Sequence, residues 1–178
     1  MSNLTERMIR ASKLDVNLYE EVEADKEAMG QAVTVVVLSG VAAGIGSLGA
    51  LGIKGLFIGT LSALIGWFVW AYITYFVGTR ILPEQQTNAD YGQLLRTIGF
   101  SSAPGVIRVL GVIPLLYGLT AMIAGIWMLV AMVIAVRQAL DYTSTWRAVG
   151  VCIIGWIIQA IVMWGFFALF GGSAPSSL

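Results

Sequence analysis

Polar residues crowd into the first 29 positions and into two later segments, Ile81 to Asp90 (ILPEQQTNAD) and Arg137 to Arg147 (RQALDYTSTWR); between these the chain is almost continuously apolar. The opening segment has helical periodicity. Asn3 followed by Glu6 has the spacing of a capping box, and Leu4, Met8 and Ala11 then recur on one face. This predicts a short amphipathic helix suited to a membrane surface. Val16 to Asp25 predicts a second helix, in which Leu18, Tyr19 and Val22 alternate with Glu20, Glu21 and Glu23.

The apolar runs lack such stripes. A helix rises about 1.5 Å per residue, so about 20 apolar residues cross a hydrocarbon core of about 30 Å. Five stretches qualify: Gln31 to Leu51, Gly55 to Gly78, Leu94 to Val112, Leu115 to Val136 and Ala148 to Phe170. The third is the weakest, since Pro104 interrupts it and Arg108 charges it. The expected architecture is an all-α membrane bundle of five transmembrane helices. Residues 1–28 would form a cytoplasmic helical arm, 29–172 the membrane domain and 173–178 a short extracytoplasmic tail.

Composition changes the picture only by closing alternatives. Hydrophobic residues make up 58% of the chain and charged residues 11%, far from the balance of a soluble domain, and mean hydropathy is +0.85. The net charge of zero conceals asymmetry: seven of the ten acids precede Ala28, and the 31 residues after Arg147 carry no charge. No basic patch points to nucleic acid. The polar, acidic start lacks the pattern of a cleavable signal peptide, so the first span is expected to direct its own insertion.

Lysine and arginine positions set the orientation. With the N-terminus in the cytoplasm, the inner side holds Arg7, Arg10, Lys13, Lys26, Arg80, Arg96, Arg137 and Arg147, eight of the ten basic residues; the outer side holds Lys54 and at most Arg108. The reversed topology would place those eight on the wrong side. A cell-membrane protein with a cytoplasmic N-terminus and an extracytoplasmic C-terminus follows.

Catalytic chemistry has little to stand on. The sequence contains no histidine and one cysteine, Cys152, so a serine or cysteine nucleophile has no imidazole base. Neither a metal set nor a phosphate-cradling GxxxxGK motif is present. The acids of the arm are expected to face water. The expectation is no enzyme, no cofactor and no metal.

Small residues are more informative. Gly40, Ala43 and Gly44 in the first span, Gly59 and Ala63 in the second, and Ala121 and Gly125 in the fourth have the spacing that lets membrane helices approach closely. They serve either packing within the chain or docking of a partner. Arg108 is the one intramembrane charge: an anion contact or cation-excluding gate on one reading, a snorkelling residue or a cap on carbonyls near Gly111 and Pro114 on the other. Gln159 suits an interhelical hydrogen bond. Arg80, Arg137, Asp141 and Arg147 could form a cytoplasmic ion network, or simply an i,i+4 pair with membrane-surface anchors.

The segment RTIGFSSAPGVIRVLGVIP, with Gly99 and Phe100 followed by Pro104, resembles the Yip domain (Ypt-interacting protein) family. The order of parts agrees, from the acidic arm LYEEVEAD through five closely linked spans to a short tail. IWMLVAMVIAVRQALDYTSTWRAVGV is similar to the fourth-to-fifth span junction of bacterial members. The likeness covers about Tyr19 to Phe170 and implies a multi-pass protein of a bacterial inner membrane. Eukaryotic members associate with small GTPases through a DLYGP-like element. Here Asn17, Leu18, Tyr19, Glu20 and Glu21 stand in its place, which argues against carrying that binding over.

The function expected on these grounds is a non-catalytic structural or scaffolding protein. It would be an accessory subunit of a larger membrane complex, respiratory or photosynthetic, with membrane lipids and other membrane-protein subunits as partners. A Yip-like membrane-organising or trafficking adaptor is one alternative, and a small channel or permease another.

Overall fold

The computed structural model describes residues 3–170, and every regular element in that range is helical. The arm contributes α1 (Leu4–Ser12) and α2 (Val16–Ala24). After a 3-10 turn at Lys26–Ala28 come α3 (Met29–Gly46) and α4 (Leu48–Phe76), the latter running into a π turn at Val77–Ile81. Next are α5 (Tyr91–Ser101), 3-10 segments at Ala103–Val112 and Pro114–Leu116, α6 (Tyr117–Ala139) and α7 (Thr145–Phe170). The predicted tail at 173–178 lies outside the described residues.

Among the described residues three helical stretches are long and apolar enough to cross a membrane: Lys26–Gly46, Gly52–Ile81 and Tyr117–Ala139. The third expected span differs from its prediction. It is an α-helix only as far as Ser101, then a 3-10 segment of ten residues. Pro104 supplies no amide hydrogen and crowds the preceding turn, so the α pattern stops beside it. Such a long 3-10 run is uncommon, and tertiary packing holds it. Every residue from Leu94 to Ser101 is buried, so this broken helix is the interior of the bundle. Its start was also missed: Asp90 and Gln93 form a reciprocal capping box that begins α5 at Tyr91. At the expected box, the Asn3 side chain accepts from the Thr5 amide instead.

α3 and α4 form a hairpin whose backbones nearly touch. A Cβ added at Gly40 would lie 3.2 Å from both the Ala63 Cβ and the Thr60 Cα, and one at Gly44 would lie 2.7 Å from the Leu56 Cα. Near its start α4 is kinked at Gly52, whose φ of 61° and ψ of −168° a side chain would resist. α3 also packs against the 3-10 segment, where Gly46 faces the Arg108 carbonyl.

The arm is not a water-exposed appendage. Leu18, Tyr19 and Val22 are fully buried and join Leu94, Phe100, Val136 and Leu140 in one core. The short interval between α1 and α2 is a Schellman turn: Leu14 has φ 62°, its amide donates to the Ala11 carbonyl, and the Asp15 amide donates to that of Arg10. α6 ends the same way around Asp141. α7 packs on α6 and the C-terminal end of α4 through Ala148, Val151 and Cys152, while Ile153, Trp156, Ile157 and Ile161 are exposed.

Candidate functional site

Two arrangements stand out, an arginine-clamped arm and a lateral cleft. Arg7 of α1 is buried, and its guanidinium donates to Glu21 at 2.9 Å, Asp25 at 2.8 Å and Gln31 at 3.0 Å. Arg10 bridges Asp15 at 2.8 Å and Glu21 at 2.6 Å. These contacts hold the Asp25 and Asp15 carboxyls below the usual carboxylate range. From the bundle, Arg96 of α5 donates to the carbonyls of Val22, at 2.9 Å, and Glu23, satisfying the C-terminal end of α2 with a cation where the helix dipole favours one. Gln93 donates to Glu23 at 3.1 Å, Gln138 donates to Glu20, and the Trp127 indole donates to the Ser12 carbonyl at 2.8 Å.

This docking gathers acids from three segments. Glu23 is half-buried, and Glu20, Asp90 and Asp141 are exposed around it. Burial is the main cause that raises the Glu23 carboxyl to about 7; Asp141, Glu20 and Asp90 add to the rise, and Arg96 opposes it.

The expected ion network is arranged differently. Asp141 sits past the end of α6 with φ 53°, and the i,i+4 pair with Arg137 is not formed. Arg137 instead staples the α6–α7 turn, donating to the Tyr142 carbonyl at 3.2 Å, Thr145 Oγ1 at 3.2 Å and the Thr143 carbonyl at 3.4 Å. Arg147 pairs with Glu84 at 3.2 Å, and Glu84 accepts from the Thr143 amide and hydroxyl at 3.1 and 2.9 Å. Arg80 is exposed. Sequence reading missed Glu84 and also Tyr142, whose hydroxyl lies 3.1 Å from the Gly78 carbonyl and 2.7 Å from that of Leu82.

The cleft, about 680 Å³, opens sideways between α4 and α6. Ala63, Trp67 and Trp70 line one wall, and Ala121, Gly125, Met128 and Met132 the other. Val36 and Ser39 of α3, with Ser101, Ser102 and Arg108, form its back, and Trp156 of α7 closes one end. Arg108 donates from Nε to the Gly105 carbonyl at 3.1 Å and from one terminal nitrogen to Ser39, at 2.8 Å to Oγ and 3.3 Å to the carbonyl. It caps carbonyls, but those of Gly105 and Ser39 rather than carbonyls near Gly111 and Pro114. Among the described residues no carboxylate pairs with it.

The small residues divide accordingly. Gly40, Gly44 and Ala63 pack α3 on α4 within the chain. Ala43 is half-buried, and a Cβ at Gly59 would meet nothing within 4 Å. Ala121 and Gly125 are exposed at the cleft mouth and leave it open. Gln159 lines a neighbouring notch with Trp70 and Trp156 and makes no hydrogen bond among the described residues. Gly99 meets Ala32, Phe100 is fully buried and Pro104 is buried where α5 breaks, so the motif behind the resemblance builds the centre of the bundle.

Apolar helices of membrane-spanning length around a buried, broken fifth helix define a multi-pass membrane protein. The chain belongs to the Yip1 domain family, whose family model matches residues 18–167. No curated protein and no solved structure matches it.

Proposed function

We propose that this chain is a non-catalytic membrane adaptor of the Yip type, crossing a bacterial inner membrane five times with its arm in the cytoplasm. Length supports the two crossings beyond the three long apolar helices. Eleven α residues at about 1.5 Å and ten 3-10 residues at about 2.0 Å give roughly 36 Å, more than the hydrocarbon core needs. The 26 residues of α7 give roughly 39 Å. Lysine and arginine placement supports the orientation.

One observation carries the adaptor reading: the clamped arm gathers Glu20, Glu23, Asp90 and Asp141 into a single acidic patch on a rigid support. A flexible acidic tail would lose entropy on binding; a prepositioned patch loses less. Its complement is a basic protein surface, and the contact weakens with salt. The test is gentle extraction from native membranes, size separation and mass spectrometry of whatever co-migrates. The expected result is a partner retained by the wild type and released by Glu20→Lys with Asp90→Lys. Migration of the wild type alone would overturn the adaptor reading. A second reading, an accessory subunit of a respiratory or photosynthetic complex, draws on the exposed apolar face of Ile53, Phe57, Ile58 and Leu61 on α4. Co-migration with such a complex at fixed stoichiometry, insensitive to the two reversals, would favour it.

A further inference from the structure

We infer that the lateral cleft is a binding site for an anionic phospholipid, with the phosphate on Arg108 and one acyl chain in the slot bounded by Trp67, Trp70, Met132 and Trp156. The first argument is charge. Ser39, which Arg108 touches, is the eleventh of the 18 residues of α3. That leaves seven residues to the C-terminal end of α3 at Gly46, so the guanidinium lies about 10 Å inside that end of the span, within the hydrocarbon core but nearer one headgroup layer than the other. Charges inside the hydrocarbon are costly, and such residues pair or face a cavity. This one faces a cavity and has no carboxylate partner among the described residues. Nε and one terminal nitrogen are engaged, while the other terminal nitrogen makes no hydrogen bond and is not sealed from the surface. A guanidinium with a free edge suits a phosphate oxygen.

The remaining lining fits the rest of a lipid. Ser102 lines the same cleft as Arg108, and so does Ser101, whose hydroxyl donates to the Ile98 carbonyl at 2.7 Å. The Trp70 indole nitrogen is buried without a hydrogen-bond partner, a state that costs free energy until an acceptor arrives. Beyond these groups the walls are aromatic and methionine-rich, and methionine adapts to chains of varied shape. The geometry of entry separates a lipid from a soluble anion. The mouth lies between Ala121 and Gly125 on α6 and the exposed apolar face of α4, so the route in runs through the bilayer.

The experiment uses the full chain in vesicles of phosphatidylcholine containing brominated lipid, with tryptophan fluorescence as the readout. Trp67, Trp70 and Trp156 line the cleft, and bromine on the acyl chain quenches an indole it touches. Brominated phosphatidylglycerol is expected to quench at several-fold lower mole fraction than brominated phosphatidylcholine. Arg108→Gln should abolish that preference, whereas Arg108→Lys should retain part of it. Gly125→Phe, at a position with open space around it, should block the mouth and lower quenching by both lipids without relying on the Arg108 variant to fold. Equal quenching by the two headgroups in the wild type would overturn the proposal. So would an unchanged preference in folded Arg108→Gln, or its loss on adding inorganic phosphate, which would assign the site to a soluble anion. A change of oligomeric size in Gly125→Phe with unchanged quenching would assign the cleft to a helix of a second copy.

Discussion

Glycine at position 46 shows how tightly single residues control this molecule. A Cβ there would lie 2.1 Å from the Arg108 carbonyl oxygen, a backbone atom that cannot swing away. Gly46→Ala is therefore expected to cost about 1–3 kcal/mol by overpacking, and more if the 3-10 segment cannot shift. At Gly59 an added Cβ meets nothing, and Gly59→Ala should be neutral or stabilise α4 by up to about 1 kcal/mol. Thermal unfolding of the two variants in the same detergent checks the contrast, and equal melting temperatures would refute it. Spacing alone exposed Gly40 and Gly44, because small residues four apart share a helix face. It said nothing of Gly46, whose partner is a backbone turn rather than another helix. Nor could it separate Gly44, packed on Leu56, from Gly125, which faces open space: both belong to the same pattern, and only the neighbouring element distinguishes them.

The elements were legible where hydrophobicity is periodic or continuous. α1, α2, α3, α4, α6 and α7 fall near their predicted places. The third expected span, Leu94 to Val112, covers most of α5 and all of its 3-10 continuation, but the change of helix type did not emerge, because Pro104 marks a break without saying what conformation follows. The docking of α2 was hidden for a similar reason: the stripe of Leu18, Tyr19 and Val22 predicts an apolar contact, yet a lipid surface or a bundle would satisfy it. The structure chooses the bundle, through Arg96. Replacing Arg96 by Met removes two charge-assisted bonds to the end of α2, each worth about 1.5–3 kcal/mol where well formed. Proteolysis within residues 13–28 should then rise at least about tenfold. Glu23 acts in the opposite sense. Its carboxyl, raised by burial in the docked arm from the ordinary carboxylate range to about 7, favours docking when protonated. Docking should be firmest below the ordinary carboxylate range, weaken as pH rises toward about 7, and level off above it. Glu23→Gln should remove that dependence and protect the arm at pH 8. An arm cleaved equally in all three proteins, or a wild type whose protection increased from pH 5 to 8, would refute the assignment.

At the scale of the whole molecule, the sequence declares a membrane protein through 58% hydrophobic residues and an asymmetric charge pattern, and the family match agrees. It could not declare the cleft, which depends on α4 and α6 standing apart while α3 and the broken helix join them from behind. The orientation makes a direct prediction. Thr5→Cys and Lys54→Cys are both at exposed positions, and native Cys152 is buried. A membrane-impermeant maleimide added to intact cells should label Lys54→Cys, and should label Thr5→Cys only after permeabilisation. The reverse pattern would invert the topology.

Because the arm docks on α5 and α6, it is made well before the surface that receives it. Val22 and Glu23 wait for Arg96, which follows 74 and 73 positions later, and Glu20 waits for Gln138, 118 positions later. At about 5–20 residues per second, synthesis reaches Gln138 roughly 6 to 24 s after Glu20 has left the ribosome's catalytic centre. Throughout that interval the core that receives Leu18, Tyr19 and Val22 is incomplete, and their apolar stripe is open to other apolar surfaces. Closure of the arm thus depends on α6: a chain stalled before it still displays that apolar stripe, in a form quality-control proteases can read.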